Sequence, residues 1–153
     1  MRILVLSDAH HANFNTLEAI KNEPSAEIVY YLGDGAGDVD SIANEFRDKK
    51  AFIILKGNCD FSANFPEVDI RTVENNKIYA CHGHNENVKY TYNYLKMNAL
   101  SEKCNIVLFG HTHFQYYDYF EEIHYFNPGS IKDGFYGVID IEKSGVLFTK
   151  KHL

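Results

Sequence analysis

The segment most informative about the fold reads Ile106-Val107-Leu108-Phe109-Gly110-His111-Thr112-His113. Its first four residues are apolar and a glycine closes the run, so we interpret Ile106–Phe109 as a buried strand. If the chain stays extended after Gly110, His111 and His113 are two residues apart and point to the same side. Ligands in open α/β sheets bind just beyond the carboxyl ends of the strands. The segment therefore predicts two imidazoles that face one binding site.

Four other apolar runs also end in residues that can donate oxygen or nitrogen to a ligand. These residues are Asp8 and His10, Asp34, Asn58, and His82. Taken singly, each has an ordinary alternative explanation, because Asp and Asn beside glycine are common turn residues and most histidines are not ligands. Their joint position at the ends of predicted strands indicates one shared site.

The predicted strands alternate with helices over the first two thirds of the chain. Strands are predicted over Arg2–Leu6, Ile28–Leu32, Ala51–Leu55, Ile70–Val73, Lys77–Cys81 and Ile106–Phe109, and helices over Asn13–Lys21, Asp38–Arg47 and Val88–Leu100. After His113, an antiparallel meander without helices is predicted from the runs Gln115–Phe120, Ile123–Asn127, Phe135–Ile141 and Val146–Lys150. We therefore expect an α/β protein in which two sheets pack face to face with helices outside.

Composition indicates one globular domain, and we take residues 1–153 as that domain. A hydrophobic content of 45% and a charged content of 24% are ordinary for such a domain. No apolar run approaches the ~20 residues of a membrane span, and Met1–Leu6 is too short for the core of a signal peptide. The three cysteines are odd in number and unpatterned, so we expect a reducing, cytoplasmic environment.

The candidate metal ligands are all oxygen or imidazole nitrogen donors: Asp8, His10, Asp34, Asn58, His82, His111 and His113. Such a set suits Mn, Fe, Zn, Ni or Co, whereas a closed structural zinc site favours thiolates. Seven ligands are too many for one catalytic ion, so we predict two divalent ions that share Asp34 on its glycine turn. Two ions about 3.5–4 Å apart suit in-line displacement at phosphorus, because they activate water and neutralise oxygen charge. Manganese is the ion that we expect first.

Five motifs occur in this order along the chain: Asp8-x-His10, Gly33-Asp34, Gly57-Asn58-x-Asp60, His82-Gly83-His84 and Gly110-His111-Thr112-His113. Together they resemble the motifs of the calcineurin-like metallophosphoesterase superfamily, and most of all its small bacterial and archaeal phosphodiesterases, in which Asn127-Pro128-Gly129-Ser130 also recurs. The resemblance implies a four-layer α/β/β/α sandwich of two mixed sheets flanked by helices. It implies one metal on Asp8, His10, Asp34 and His113, and the other on Asp34, Asn58, His82 and His111.

The resemblance also implies a metal-dependent phosphodiesterase, in which a metal-bridging hydroxide attacks phosphorus and Asn58 helps to position a phosphate oxygen. Many superfamily members have a histidine after the motif asparagine, where it contacts phosphate and assists the leaving group, but this chain has Cys59. A thiol is a poor general acid toward an alkoxide, so we expect small phosphodiesters to be better substrates than unactivated monoesters. Asp34 and Asn58 are the predicted catalytic residues, and Asn58 and Cys59 the predicted substrate contacts.

Two further histidines have no assigned role in this hypothesis. His11 stands where similar proteins commonly have glycine, and we favour a solvated side chain over a substrate contact. His84 is expected to support the metal ligands without being one of them.

Two other functions compete with the phosphodiesterase. The superfamily includes the retromer subunit, a protein-binding scaffold whose ancestral site is degraded, but here every metal position holds a competent residue. A nuclease is disfavoured because the net charge is −6 and no basic patch is evident. We expect no membrane or nucleic-acid partner, and the aromatic-rich C-terminal strands could supply the interface of a homo-oligomer.

Overall fold

A computed structural model describes all of residues 1–153. The strands are β1 Arg2–Leu6, β2 Ile28–Tyr31, β3 Ala51–Ile54, β4 Val68–Val73, β5 Asn76–Cys81, β6 Ile106–Leu108, β7 Gln115–Phe120, β8 Ile123–Pro128, β9 Phe135–Glu142 and β10 Gly145–His152. The helices are α1 Asn13–Asn22, α2 Ala36–Ala43 and α3 Asn93–Ser101, with a short 3-10 helix at Ile131–Asp133. No helix has the length and apolar character needed to cross a membrane. All three cysteines are free.

The strands form two mixed sheets of five strands each, as predicted. The first sheet has the order β10-β9-β1-β2-β3, in which β1, β2 and β3 are parallel and β9 and β10 are antiparallel additions. The second has the order β4-β5-β6-β8-β7, in which β5, β6 and β8 are parallel and the two edge strands are antiparallel. The parallel strands set the carboxyl ends of β1, β2, β5 and β6 at the edges where the candidate ligands follow.

Alternation along the strands separates three apolar layers. On β1, Ile3 and Val5 lie in the layer between the two sheets, together with residues of the second sheet such as Ile106. Leu4 and Leu6 point the other way and pack in the cluster that contains the apolar faces of α1 and α2. A third cluster joins the outer face of the second sheet to Leu95 and Ala99 of α3. The four-layer α/β/β/α sandwich is therefore confirmed.

The predicted starts of two helices were wrong. Helix α3 begins at Asn93 and not at Val88, because Asn87 has a φ of 58° and the Val88 amide donates to the Gly83 carbonyl oxygen. A residue with positive φ interrupts a right-handed helix, so the segment before α3 forms turns. Helix α2 begins at Ala36, two residues earlier than predicted, and ends at Ala43.

The predicted C-terminal meander was also wrong. Strands β7 and β8 form a hairpin in the second sheet, whereas β9 and β10 form a hairpin in the first. The chain changes sheets between them, and the Ile131 and Lys132 amides donate to the carbonyl oxygens of Ser7 and Asp8 on the way. Strand periodicity cannot distinguish the two arrangements, since it depends on burial and not on the pairing partner. The crossing places the end of β8 against the loop that follows β1.

Candidate metal centre

Six of the seven predicted ligands converge where β1, β2, β5 and β6 end. Each is held in the loop that follows a parallel strand: Asp8 and His10 after β1, Asp34 after β2, His82 after β5, and His111 and His113 after β6. This is the position that the strand-end argument predicted.

Five of these six residues have a left-handed backbone. The φ angles are 57° at Asp8, 41° at His10, 64° at Asp34, 67° at His111 and 65° at His113. Such angles are uncommon outside glycine and cost about 1–3 kcal/mol each, and they concentrate at functional sites. The expectation of an extended chain after Gly110 was therefore wrong. His111 and His113 turn into two different groups of donors.

The first group consists of Asp8, His10 and His113. The Nε2 atom of His113 lies 3.2 Å from Asp8 Oδ1 and 3.4 Å from His10 Nε2. Asp8 is fully buried, whereas the two rings are partly exposed. One carboxylate oxygen and two imidazole nitrogens thus face a common point from the loops after β1 and β6.

The second group consists of Asp34, His82 and His111. His82 Nε2 lies 3.5 Å from Asp34 Oδ2 and 3.2 Å from His111 Nδ1. Asp34 also approaches the first group, since its Oδ2 atom lies 3.8 Å from His10 Nε2. Asp8 approaches the second group in the same way, since its Oδ1 atom lies 3.9 Å from His82 Nε2. The two groups of donors are therefore adjacent, and both carboxylates lie between them.

A backbone hydrogen bond sets the tautomer of His82. Its Nδ1 atom lies 2.8 Å from the Leu32 carbonyl oxygen, which can only accept a hydrogen bond. The neutral ring therefore carries its proton on Nδ1, and the Nε2 lone pair faces Asp34 and His111. An imidazole anchored through its other nitrogen is the usual form of a metal-binding histidine.

The carboxylate of Asp8 provides a test of whether a cation fits this site. Its Oδ2 atom accepts hydrogen bonds from Ser7 Oγ at 2.6 Å and from the His111 amide at 3.1 Å. Its Oδ1 atom is buried and makes no well-aligned hydrogen bond, although His113 Nε2 lies 3.2 Å away. A buried carboxylate oxygen without a partner is costly and rare. Because Oδ1 faces imidazole nitrogens, a divalent cation suits the donors that surround it.

The protonation states of three candidate ligands, Asp8, Asp34 and His111, also favour metal binding. Burial raises the pKa of Asp8, but the His113 and His82 rings outweigh it and the pKa lies below its ordinary value. The pKa of Asp34 is likewise held low, mainly by His82, against the effect of burial. Burial and the charge of His82 lower the pKa of His111 to about 4. At neutral pH both carboxylates are ionised and His111 is uncharged, as metal ligands must be.

The seventh predicted ligand, Asn58, has an exposed side chain whose amide lies 3.4 Å from Cys59 Sγ. The Cys59 backbone amide donates to Asp34 Oδ1 at 2.8 Å, and its Sγ atom belongs to a cluster with His10 and Asp34. Burial, followed by the Asp34 carboxylate, raises the pKa of Cys59 to about 11. The thiol is therefore protonated at neutral pH, directly beside the two groups of ligands.

Sequence reasoning did not assign roles to several residues that position the ligands. Tyr31 donates its hydroxyl to the Asp34 carbonyl oxygen at 2.7 Å and accepts the Ala9 amide at 3.0 Å. Asn127 donates to the Gly110 carbonyl oxygen at 2.9 Å. The recurrence of Asn127-Pro128-Gly129-Ser130 in similar proteins could have indicated a role for Asn127. Nothing in the sequence distinguishes Tyr31 from an ordinary strand residue.

The two unassigned histidines behave differently. The His11 ring is 89% exposed and lies 2.6 Å from Asp38 Oδ2, which agrees with a solvated side chain. His84 packs beside the site, with its ring centroid 5.4 Å from that of His82. Its Nδ1 atom is buried without a hydrogen bond. These contacts are those of a residue that packs against a candidate ligand.

Comparison with known proteins agrees with this geometry. The model of the calcineurin-like phosphoesterase superfamily domain matches residues 1–144. A probable metallophosphoesterase of Mycoplasma genitalium is 28% identical over 135 residues, which cover 86% of this chain and 78% of that protein. A phosphodiesterase of Methanocaldococcus jannaschii is 26% identical over an alignment of 168 positions, gaps included. The alignment covers 99% of this chain and 95% of that protein.

A similar solved structure is that of Vps29 from Entamoeba histolytica in complex with zinc. It has a TM-score of 0.76 and 18% identity, and each chain is covered to 99%. At this identity the likeness concerns the fold alone. The family model, in contrast, spans every strand end that carries a candidate ligand, and it shows that this chain belongs to the calcineurin-like phosphoesterase superfamily.

Proposed function

We propose that this protein is a metal-dependent phosphodiesterase with a dinuclear site. The observation that carries the proposal is the buried Oδ1 atom of Asp8, which makes no well-aligned hydrogen bond and lies beside the Nε2 atoms of His113 and His82. In a superfamily of hydrolytic phosphoesterases, a buried anion among imidazoles is best explained by bound metal.

The ligands divide between two ions as their contacts suggest. Asp8, His10 and His113 would hold one ion and His82 and His111 the other, with Asp34 in contact with both groups. The resemblance to the superfamily adds Asn58 to the second ion and makes Asp34 the shared ligand. When bound, two divalent ions such as Mn²⁺ supply an activated water and neutralise charge on the phosphate oxygens.

The residues of the chain orient this chemistry. The Leu32 carbonyl oxygen holds His82 with its Nε2 lone pair toward the site, and Asp60 fixes the turn that presents Asp34. Asn58 and Cys59, which are exposed on the loop after β3, are the proposed substrate contacts. Two divalent ions exceed the charge of the two carboxylates, so the loaded site attracts a phosphate although the protein carries a net charge of −6.

The nature of Cys59 favours diesters over monoesters. With a pKa raised to about 11, its thiol is poorly matched to proton transfer at neutral pH. A leaving group that needs a proton from this position is therefore released slowly. Diesters with good leaving groups place less demand on it. The relative from Methanocaldococcus jannaschii is itself named a phosphodiesterase.

Two substitutions test the proposal. Asp34→Asn and His111→Ala remove donors from the second group, and each should lower the hydrolysis of bis-p-nitrophenyl phosphate by at least about 100-fold. Circular dichroism should show the fold retained. Asp48→Asn and His152→Ala are matched controls at exposed positions and should keep full activity. Activity retained in both site variants would contradict the assigned site.

The second candidate function is a non-catalytic protein-binding scaffold of the same fold. The likeness to Vps29, a vacuolar protein sorting protein, is the observation that favours it. Hydrolysis assays distinguish the two functions, because a phosphodiesterase must turn over substrate with at least one metal, whereas a scaffold need not do so with any. A cytoplasmic location and a homo-oligomer both stay predictions.

A further inference from the structure

The most exposed apolar side chains of the protein follow candidate ligands closely along the chain. The four most exposed large hydrophobic residues are Phe61 at 93%, Tyr90 at 86%, Phe114 at 78% and Phe14 at 73%. All four are aromatic, and the next most exposed reach only 63%. Single exposed apolar residues are normal on a protein surface, but a group of them around one site marks a binding surface.

Three of the four lie on a loop that also carries a candidate ligand, and Phe14 lies in the first turn of α1, directly after such a loop. Phe114 directly follows His113, Phe61 follows Asn58 by three residues, Phe14 follows His10 by four, and Tyr90 follows His82 by eight. No structural constraint on a metal ligand requires an aromatic neighbour. The rings therefore suit a partner that enters the metal centre, such as the organic part of a substrate.

A cavity of about 350 Å³ opens beside Phe114. Its lining includes Val88, Lys89 and Tyr92 from the segment before α3, and Thr112 and Phe114 from the segment after β6. Thr112 stands between His111 and His113, so the cavity adjoins the metal centre. Its size lies at the lower end of the range for small-molecule sites.

Tyr92 and Val88 form a well-packed wall of the cavity, whereas the ring of Phe114 on the other wall is unpaired. The Tyr92 ring packs 5.3 Å from the Phe109 ring and 5.0 Å from the Tyr116 ring, measured between centroids. Val88 below is 3% exposed. Phe114, in contrast, pairs with no other ring of the chain. A flat group in the cavity would supply the stacking partner that Phe114 lacks.

Lys89 gives the same cavity a positive charge. Its side chain is exposed and forms no ion pair with any carboxylate of the chain. It lines the same cavity as Thr112, which stands between two candidate ligands. The cavity next to Cys59 is instead lined by Asp38, Asp40 and Asp60, of which Asp38 pairs with His11 and Asp40 with Arg47. Of these two cavities, the one beside Lys89 offers the unpaired positive charge that suits an anionic diester.

From this arrangement we infer that the cavity between Lys89 and Phe114 is a substrate subsite for the ester group that a phosphodiester retains when its leaving group departs, where that retained group is a planar aromatic ring. The ring stacks on Phe114 while Lys89 faces the phosphate. The inference rests on the proposed phosphodiesterase function and names its substrate class. A nucleobase and a simple aryl group share this chemistry, and a long nucleic acid does not fit a net charge of −6.

The test uses three diesters with one leaving group, p-nitrophenolate. The other ester group is methyl, phenyl or thymidine 5′-yl. Phe114→Ala should lower kcat/KM for the ring-bearing esters by about fivefold to 100-fold, the range of aromatic stacking, and leave the methyl ester unchanged. A loss for thymidine alone would identify a nucleobase subsite, and a loss for both ring-bearing esters a general aryl subsite. Tyr94→Ala, half-exposed on α3, is the control and should change none of the three.

Equal changes for all three esters, or no change, in Phe114→Ala would overturn the subsite. In that case metal-dependent hydrolysis by the wild-type protein would still support the proposed function. Failure of the wild-type protein to hydrolyse any of the three esters with metal would overturn both proposals. Lys89→Met should raise KM for all three substrates alike, and an unchanged KM would remove Lys89 from the subsite.

Discussion

The carboxylate of Asp60 accepts a hydrogen bond from the backbone amide of Asp34, with 2.8 Å between Oδ2 and the nitrogen. The same side chain accepts the amides of Gly57 at 2.8 Å, Gly35 at 2.9 Å and Ala36 at 3.0 Å. Four amides from the loops after β2 and β3 thus converge on one carboxylate. Asp60 ties these loops together and fixes the turn from which Asp34 reaches both groups of ligands.

Replacing Asp60 with asparagine should therefore weaken the site without touching a ligand. Asparagine keeps one acceptor oxygen and turns an NH2 group toward the donors of the other, so two of the four hydrogen bonds are lost because each oxygen accepts two amides. We expect turnover and Mn²⁺ affinity to fall by about 10- to 100-fold, and the free energy of unfolding to fall by about 2 kcal/mol. Steady-state kinetics measures the turnover, calorimetry measures the Mn²⁺ affinity, and chemical denaturation measures the free energy of unfolding. Wild-type metal affinity in Asp60→Asn would refute this role, and exposed Asp48→Asn is the control.

Gly57 is expected to tolerate no side chain. A Cβ atom there would overlap Asp34 Oδ1 and lie 2.7 Å from the Asp34 nitrogen. Gly57→Ala should therefore displace Asp34 and lower turnover at least about tenfold. Gly37 offers a matched control, because a Cβ atom there meets nothing within 4 Å and the residue lies in α2. Gly37→Ala should keep full activity and gain about 0.5–1 kcal/mol of stability. Equal activity in both variants would contradict the close packing at Gly57.

Metal affinity should depend on pH through two histidines. Burial lowers the pKa of His82, but Asp34 and Asp8 outweigh it, so that the pKa is raised; the pKa of His113 is raised chiefly by Asp8. A raised pKa means that each ring holds its proton up to a higher pH, and a metal must displace that proton. His111, with a pKa lowered to about 4, has none to lose.

The apparent Mn²⁺ affinity should therefore increase as the pH rises from about 6 to 8, by up to roughly tenfold per pH unit for each displaced proton. Isothermal titration calorimetry in buffers of different ionisation enthalpy measures both the affinity and the number of protons released. An affinity that does not change with pH would show that metal binding displaces no proton from His82 or His113.

The sequence alone was enough to predict which candidate ligands come together, because position and residue type agreed. Five apolar runs each ended in a potential ligand, so these residues, Asp8 and Asp34 among them, were expected at one shared site. The two-sheet architecture was accessible for the same reason. The sequence did not indicate that His82 and His111 follow strands of the second sheet.

Long-range contacts decided the features that the sequence did not reveal. The divergence of His111 and His113 depends on left-handed backbone at both, and the His111 amide is held by Asp8, 103 positions away. The membership of β9 in the first sheet depends on its pairing with β1, which no local pattern encodes. Asn87 was a signal that we missed, since asparagine tolerates the left-handed conformation that delays α3.

The most direct test is the hydrolysis of bis-p-nitrophenyl phosphate by protein stripped with EDTA, before and after the addition of Mn²⁺. The monoester p-nitrophenyl phosphate runs in parallel, with Asp34→Asn as the control. We predict that the stripped protein is inactive, that Mn²⁺ restores diester hydrolysis in excess of monoester hydrolysis, and that Asp34→Asn recovers neither. No turnover with Mn²⁺, Ni²⁺, Co²⁺ or Zn²⁺, despite binding confirmed by calorimetry, would contradict the phosphodiesterase and favour the scaffold.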